Sequence, residues 1–542
     1  MTRLLLLSAL ATLLASFVSA KPEVLSMPIR RDASKHHKAL LKRRLMKRDP
    51  FSVNLDGYLN QGGFYLVNVT VGTPAQNIIL DIDTGSSDIW MFGPNSCDEK
   101  TAICYGGTFN IQNSNSAVQN SRSPPFEIQY GTPGSGVNGT YFQDVFSLGG
   151  QNVRNLTMAV ATRSEYVGTG IMGIGFALGE ALQGELNQTY ANLPVVLANQ
   201  SLIPSASYSL YLDDLDIGEG TVLFGGYDTD KFEGNLAVLD IQPAEKNLIS
   251  RMLVVWSSIG VTDKSGSTVI PSSAVPQSAL LDSGTALTVV PSDVFKTLVS
   301  YFGANYRRSL GIYEVNCDLG YGTLDFGFGD SNGPVIGVPF SELAIPITDS
   351  DGNFITYADG SPVCMLGLDT ADASLGVILG DTFLRSAYVV YDLDRKQIGI
   401  AQTRFNVTTS NVKVINRGSG NLAGASSIVA SGTTLSYGAT AAATMEQAPG
   451  AGAGTRTASG RAGGTKSVAT ASGTINGGVK TTYANRATDI PGATGSVSGT
   501  GSAISTKKSA AGGSFEAFDV KLQGFLLAAL MFVGAGGLLL RV

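Results

Sequence analysis

The sequence predicts a mostly-β protein built from two similar halves, and three observations carry that prediction. The first is a motif, Ile79-Leu80-Asp81-Ile82-Asp83-Thr84-Gly85-Ser86, which returns roughly 200 residues later as Ala279-Leu280-Leu281-Asp282-Ser283-Gly284-Thr285. In both copies an apolar strand runs into an acid, and a hydroxyl, a glycine and a second hydroxyl follow it. The second is an apolar pair plus glycine, Ile171-Met172-Gly173 and Ile378-Leu379-Gly380, about 90 to 100 residues after each acid. The repeat is therefore a half-protein, not a tripeptide. The third is the texture in between: short β-branched and aromatic runs broken by Gly, Asn and Pro, with only Tyr190 to Asn199 and Pro291 to Tyr301 reading as helices.

A chain of 542 residues with 43% hydrophobic residues has room for two packed lobes and more. The surplus lies at the ends. Residues 1–20 read as a signal peptide: Arg3, an apolar run from Leu4 to Val18 that is short for a membrane span, and a small-residue cleavage site at Val18-Ser19-Ala20. Residues 21–48 form a basic pro-segment ending at Lys47-Arg48, where a dibasic-specific convertase would cut. Its removal takes away most of the basic excess and leaves an acidic body with a net charge of about −15. A pro-segment lysine, Lys35 or Lys38, is a candidate to hold the acids of the site latent.

The body spans an N-terminal lobe, 49–232, and a C-terminal lobe, 233–409. From 410 to 513 the chain turns to Ala, Gly, Ser and Thr, too poor in large apolar residues to offset ordering, and reads as a disordered, O-glycosylated stalk. Residues 514–542 complete a glycosylphosphatidylinositol attachment signal: small residues at Ser509 to Ser514, a polar spacer and an apolar tail from Phe525 to Leu540. Gly512 is the expected attachment point. A true tail-anchored helix is the competing reading, against which stand the tail's shortness and its glycines. The chain is thus expected at the cell surface, on the plasma membrane or in the wall.

Within the body, Phe64 to Val71 turns at Gly72-Thr73-Pro74 and returns as Gln76 to Ile82, a hairpin that delivers Asp83. A second hairpin runs through Phe126 to Thr132, turns at Pro133-Gly134-Ser135-Gly136 and returns through Thr140 to Leu148; its glycine-rich tip suits a lid. Four cysteines in an exported chain allow three pairings. Cys97 and Cys104 are near enough to close a small loop, which leaves Cys317 and Cys364 for each other. Their spacings match no zinc pattern. Sequons at Asn68, Asn138, Asn155, Asn187, Asn199 and Asn406 suit an exported glycoprotein.

Both histidines, His36 and His37, lie in the pro-segment, so the mature chain has none. That excludes Ser/His/Asp and Cys/His nucleophiles and His-ligated metals. Carboxylates remain. Two half-domains related by an axis would set Asp83 against Asp282, and acids that close share one proton. The ionised member can take a proton from a lytic water while its partner polarises a carbonyl. Ser86 and Thr285 can donate to the outer carboxylate oxygens, and Gly85 and Gly284 leave room for backbone and substrate. No cofactor, no metal and no nucleic-acid partner is expected; the chain is read as a monomer acting on proteins or peptides.

The doubled motif, the flap-like Tyr130-Gly131-Thr132, Trp90, both apolar-apolar-Gly segments and the cysteine pairs resemble the pepsin-type aspartic proteases over about residues 58 to 405. With its tail the layout is similar to the fungal surface-anchored, yapsin-like members. The resemblance implies a bilobal pepsin-like fold with the cleft between pseudo-symmetric β lobes. It further implies Tyr130 closing over substrate and Trp90 hydrogen-bonding that tyrosine; Pro133 and an extra residue depart from the usual flap tip. Asp81-Ile82-Asp83-Thr84 is also similar to the opening of haloacid-dehalogenase phosphatases, which leaves the second copy unexplained. The remaining alternative is a catalytically inactive wall or adhesion protein on a protease scaffold. Asp81, two residues before Asp83 on one strand, shares its face and is expected to look toward the cleft, where a substrate Lys or Arg before the cut could meet it. Satisfaction by neighbouring groups is the bland reading of Asp81.

Overall fold

A computed structural model describes residues 24–31, residues 64–418 with breaks at 98–103, 120–123, 131–134, 166, 245–247, 331, 349–352 and 371–375, and Leu422. The fold is mostly β, as the punctuated apolar runs predict. The first hairpin forms where expected, with Tyr65–Val71 antiparallel to Gln76–Asp83. Alternation along Gln76–Asp83 sends Ile78, Leu80 and Ile82 into the main core and leaves Ile79, Asp81 and Asp83 on the other face.

The two halves repeat one topology. In the first, Gln76–Asp83 runs parallel to Gly170–Gly173, which is antiparallel to Ile89–Phe92, itself parallel to Gln151–Glu165. In the second, Gln277–Leu281 runs parallel to Val377–Leu379, which is antiparallel to Thr288–Val290, itself parallel to Leu368–Thr370. The apolar-apolar-Gly segments thus pair with the strands that carry the acids. In each half one side of the motif strand is closed by a segment from far along the chain, which fixes where the acid turn ends.

Strands from both halves also meet in one 13-stranded sheet: Ala237–Asp240, Gln397–Gln402 and Ala387–Asp392 from the second half adjoin Ser207–Tyr211 and Glu219–Phe224 from the first. Leu25–Arg31, inside the segment expected to be removed, is an interior strand of this sheet, paired with Glu219–Phe224 and Tyr65–Val71. Leu25, Met27 and Ile29 are buried. Lys35, Lys38 and the Lys47-Arg48 site lie outside the described residues.

The helices Leu193–Asn199 and Ser292–Phe302 fall within or beside the predicted spans; Ser292–Phe302 turns Val294, Phe295 and Leu298 inward and ends at Gly303 in the left-handed region, φ 64°. Ala181–Leu186 and Asp381–Leu384 are further, shorter helices that the sequence did not announce. One boundary moves. Residues 410–418, expected to open the stalk, belong to the folded body instead, because Val412–Val414 pairs with Gly226–Asp228, and Ile415 and Leu422 are buried. Ser410 and Asn411 bond the Asp228 carboxylate at 2.6 and 2.7 Å, so this stretch is pinned to the body despite its small, polar composition. Cys97–Cys104 and Cys317–Cys364 form the two disulfides. All six sequon asparagines are exposed.

Candidate active site

Asp83 ends its strand and Asp282 follows Gln277–Leu281 directly, so the two acid turns face one another across the repeat. The clearest measure of their closeness comes from the glycines. A Cβ at Gly85 would lie 2.4 Å from the Asp282 Oδ1, and a Cβ at Gly284 would lie 2.6 Å from the Asp83 carboxyl. Each glycine is therefore required by the opposite acid, a tighter reason than room for substrate. The two carboxyls hydrogen-bond to each other.

Each acid is held by its own turn. The Gly85 and Ser86 N–H groups donate to Asp83 Oδ1 at 2.7 and 3.1 Å, and the Ser86 hydroxyl donates to Oδ2. The Gly284 N–H donates to Asp282 Oδ1 at 2.9 Å and the Thr285 hydroxyl to Oδ2 at 2.8 Å. The hydroxyls directly after the acids do something the sequence did not reveal. The Thr84 hydroxyl donates to the Leu281 carbonyl at 2.9 Å and accepts from the Ser283 N–H at 3.0 Å; the Ser283 hydroxyl donates to the Ile82 carbonyl at 2.7 Å and accepts from the Thr84 N–H at 3.2 Å. Four reciprocal bonds lock the turns together, and the repeat of a hydroxyl at that position was the one signal for it.

Burial is the first reason the Asp83 carboxyl is held well above the usual carboxylate range, and Asp282 beside it is the second. One proton shared between them is the state this geometry favours. Two further acids surround the pair. Asp81 and Asp381 are 0% and 1% exposed, and neither has a hydrogen-bond partner of normal geometry for its carboxyl oxygens among the described residues. Burial raises both, with Asp83 the next cause at Asp81, whereas the Arg385 and Arg31 guanidiniums pull against it at Asp381. Asp381, which directly follows Ile378-Leu379-Gly380, went unnoticed in the sequence; its N–H donates to the Thr285 carbonyl at 2.8 Å.

The second predicted hairpin forms as Pro125–Gln129 and Gly136–Leu148. Tyr130, directly after its first strand, is buried, and after burial itself the Asp83 carboxylate is the main influence that lifts its hydroxyl. Trp90 lies beside that phenol in an apolar cluster with Phe126, Ile128 and Tyr141. Gly131 and Thr132 lie outside the described residues. Among the described residues no group of His, Cys, Asp and Glu could hold a metal ion. What the site can do is activate a water on one carboxylate and polarise a carbonyl with the other, under a lid.

Fold, dyad and flap together define a pepsin-type aspartic protease. The eukaryotic aspartyl protease family matches residues 64–403, and this chain belongs to it. It is 34% identical over 412 residues to the probable aspartic-type endopeptidase opsB of Aspergillus oryzae, covering 75% of this chain and 82% of that one. It is 31% identical to aspartic proteinase yapsin-3 of Saccharomyces cerevisiae, over 66% of this chain and 69% of the relative. In fold it is similar to the crystal structure of aspartic proteinase from Irpex lacteus, with a TM-score of 0.52 at 20% identity, over 72% of this chain and all of that one. The protein is an aspartic endopeptidase. Both acids and their supporting hydroxyls are in place, which leaves the inactive-scaffold alternative without a feature to rest on.

Proposed function

We propose that this endopeptidase cuts peptide bonds that follow a basic residue, and that it works outside the cell on a lipid tether. Asp81 carries the substrate preference. It stands on the same strand face as Asp83, directly opposite Leu66 across the hairpin and beside Ile171, with Asp83, Asp381 and Asp282 near enough to act on it. That neither oxygen of this buried carboxyl has a partner of normal geometry among the described residues speaks against the bland reading in which neighbours satisfy it. Left alone it stays protonated; a lysine or arginine side chain reaching it would restore the charge and gain a charge-assisted hydrogen bond. Peptide pairs that differ only in Lys, Arg, Leu or Phe before the cut test this. The expected result is a Lys and Arg preference of about 10- to 100-fold that Asp81→Ile reverses while the Leu peptide is still cleaved. An unchanged order in the variant ends the idea.

Secretion, maturation at Lys47-Arg48 and anchoring near Gly512 rest on the sequence signals, and Gly512 and the tail lie outside the described residues. The route of the chain leaving the body supports a tether. Ile415 and Leu422 pack with Tyr388 and Val390, on the opposite face of their strand from Val389 and Tyr391. A tether continuing beyond Leu422 would therefore leave from the face opposite the main core that holds Ile82 and Leu281. Phosphatidylinositol-specific phospholipase should release active enzyme from membranes. Purified protein that keeps the Phe525 to Leu540 peptide would favour a tail helix instead.

A further inference from the structure

The catalytic loop that begins at Asp83 ends at a second buried acid, Asp88, for which the dyad chemistry has no use. Asp88 is 2% exposed, and its carboxylate gathers donors from three separate parts of the first half. The Tyr141 hydroxyl donates to Oδ1 at 3.0 Å, the Tyr190 hydroxyl to the same oxygen at 2.7 Å, and the Ala181 N–H to Oδ2 at 2.8 Å. Glu180 adjoins this group and accepts the Tyr190 N–H at 2.8 Å; burial pushes its carboxyl up to about 9.

Both ends of the loop are fixed to one short strand and its continuation. The Gly173 N–H donates to the Asp88 carbonyl at 3.1 Å, and the Ile174 N–H donates to the Asp83 carbonyl at 2.9 Å. A Cβ at Gly173 would lie 2.6 Å from the Asp88 carbonyl oxygen, so nothing bulkier could sit between them. Asp88 is therefore rigid with respect to Asp83. Tyr141, by contrast, belongs to the flap's return strand Gly136–Leu148, and its ring meets Phe126 of the outgoing strand edge-on at 5.3 Å. Whatever holds Tyr141 holds both strands at the flap's base.

We propose that Asp88 is a positioning residue for the peptidase reaction: through Tyr141 it fixes the base of the flap to the loop that carries Asp83, and so sets where Tyr130, which follows the outgoing strand Pro125–Gln129, stands relative to Asp83. The competing possibility is that the three donors only satisfy a buried carboxylate and stabilise the fold. Tyr190 separates the two, because it donates to the same oxygen and stands outside the flap.

The test compares Tyr141→Phe with Tyr190→Phe, each of which deletes one hydroxyl and keeps the ring. Active sites are counted by pepstatin titration, so misfolded enzyme does not enter the rates. Both changes should lower the melting temperature by similar amounts. Tyr141→Phe alone should lower kcat/KM on a peptide long enough to run beneath the flap, by roughly 10- to 100-fold and mainly through kcat, since a small misplacement of a closing element is that costly. Asp88→Asn should show a comparable loss, and adding Tyr141→Phe to it should cost nothing further. Equal kinetics in the two tyrosine variants overturns the proposal, as does a Tyr141→Phe effect that persists at full size in the Asp88→Asn background. If Asp88→Asn fails to fold, the tyrosine pair decides the matter alone.

Discussion

Asp83→Asn and Asp282→Asn should each lower kcat by at least about 1,000-fold and leave the protein folded, because a proton shared by two acids is lost when either one cannot hold it. Asparagine keeps the shape of the side chain and an acceptor for the N–H groups of Gly85 and Gly284, so circular dichroism and melting should change little. The double variant should be scarcely worse than either single one, since the two acids act as a unit. The pH profile follows from the raised position of Asp83. Activity requires one proton on the pair; as pH rises through the upper step that proton leaves and activity falls, and below the lower step both acids are protonated and no base remains. The expected profile is a bell centred in acid. Pepstatin should abolish activity and chelators should not. Full activity in either asparagine variant, or loss to chelators with none to pepstatin, would falsify the carboxylate mechanism.

Breaking the ion pair between Glu342 and Arg385 should produce a large loss of stability, about 3–5 kcal/mol, because it takes from the buried guanidinium its hydrogen-bonded counter-charge and leaves Asp381 to act on it. Arg385 is 0% exposed at its side chain and Glu342 6%; the Arg385 Nε bonds the Glu342 carboxylate and its Nη2 donates to the Glu342 carbonyl at 2.8 Å. The other carboxylate oxygen of Glu342 accepts the Leu215 N–H at 3.1 Å, so the pair also ties the second half to the first. Glu342→Leu should unfold at markedly lower urea than the parent. Adding Arg385→Met should recover most of the loss, since a buried ion pair replaced as a whole by apolar groups of similar size is often neutral. If the double variant is no better than Glu342→Leu, the cost comes from the lost Leu215 contact or from packing.

The sequence by itself determined what repeats and what is local. The two acids, their turns, the hairpin before Asp83 and the flap hairpin were legible because strand alternation and turn residues act over a few positions, and duplication wrote the active turn twice. The second copy also told which face of each strand looks toward the other half. Only the tertiary structure decided what depends on contacts between distant segments. Leu25–Arg31 is an ordinary short run until Glu219–Phe224 pairs with it, and the strand Val412–Val414 hides in a polar stretch because its order comes from Asp228 and Gly226–Asp228, not from its own apolar content. Thr84 and Ser283 interlock only once the two halves are superposed about their axis. Asp88, Asp381, Glu342 and Arg385 have no repeat and no periodicity to mark them. A lone acid or base in a sequence is read as surface, since burying a charge is costly, and the partners that make these four tolerable are gathered only by the packed fold.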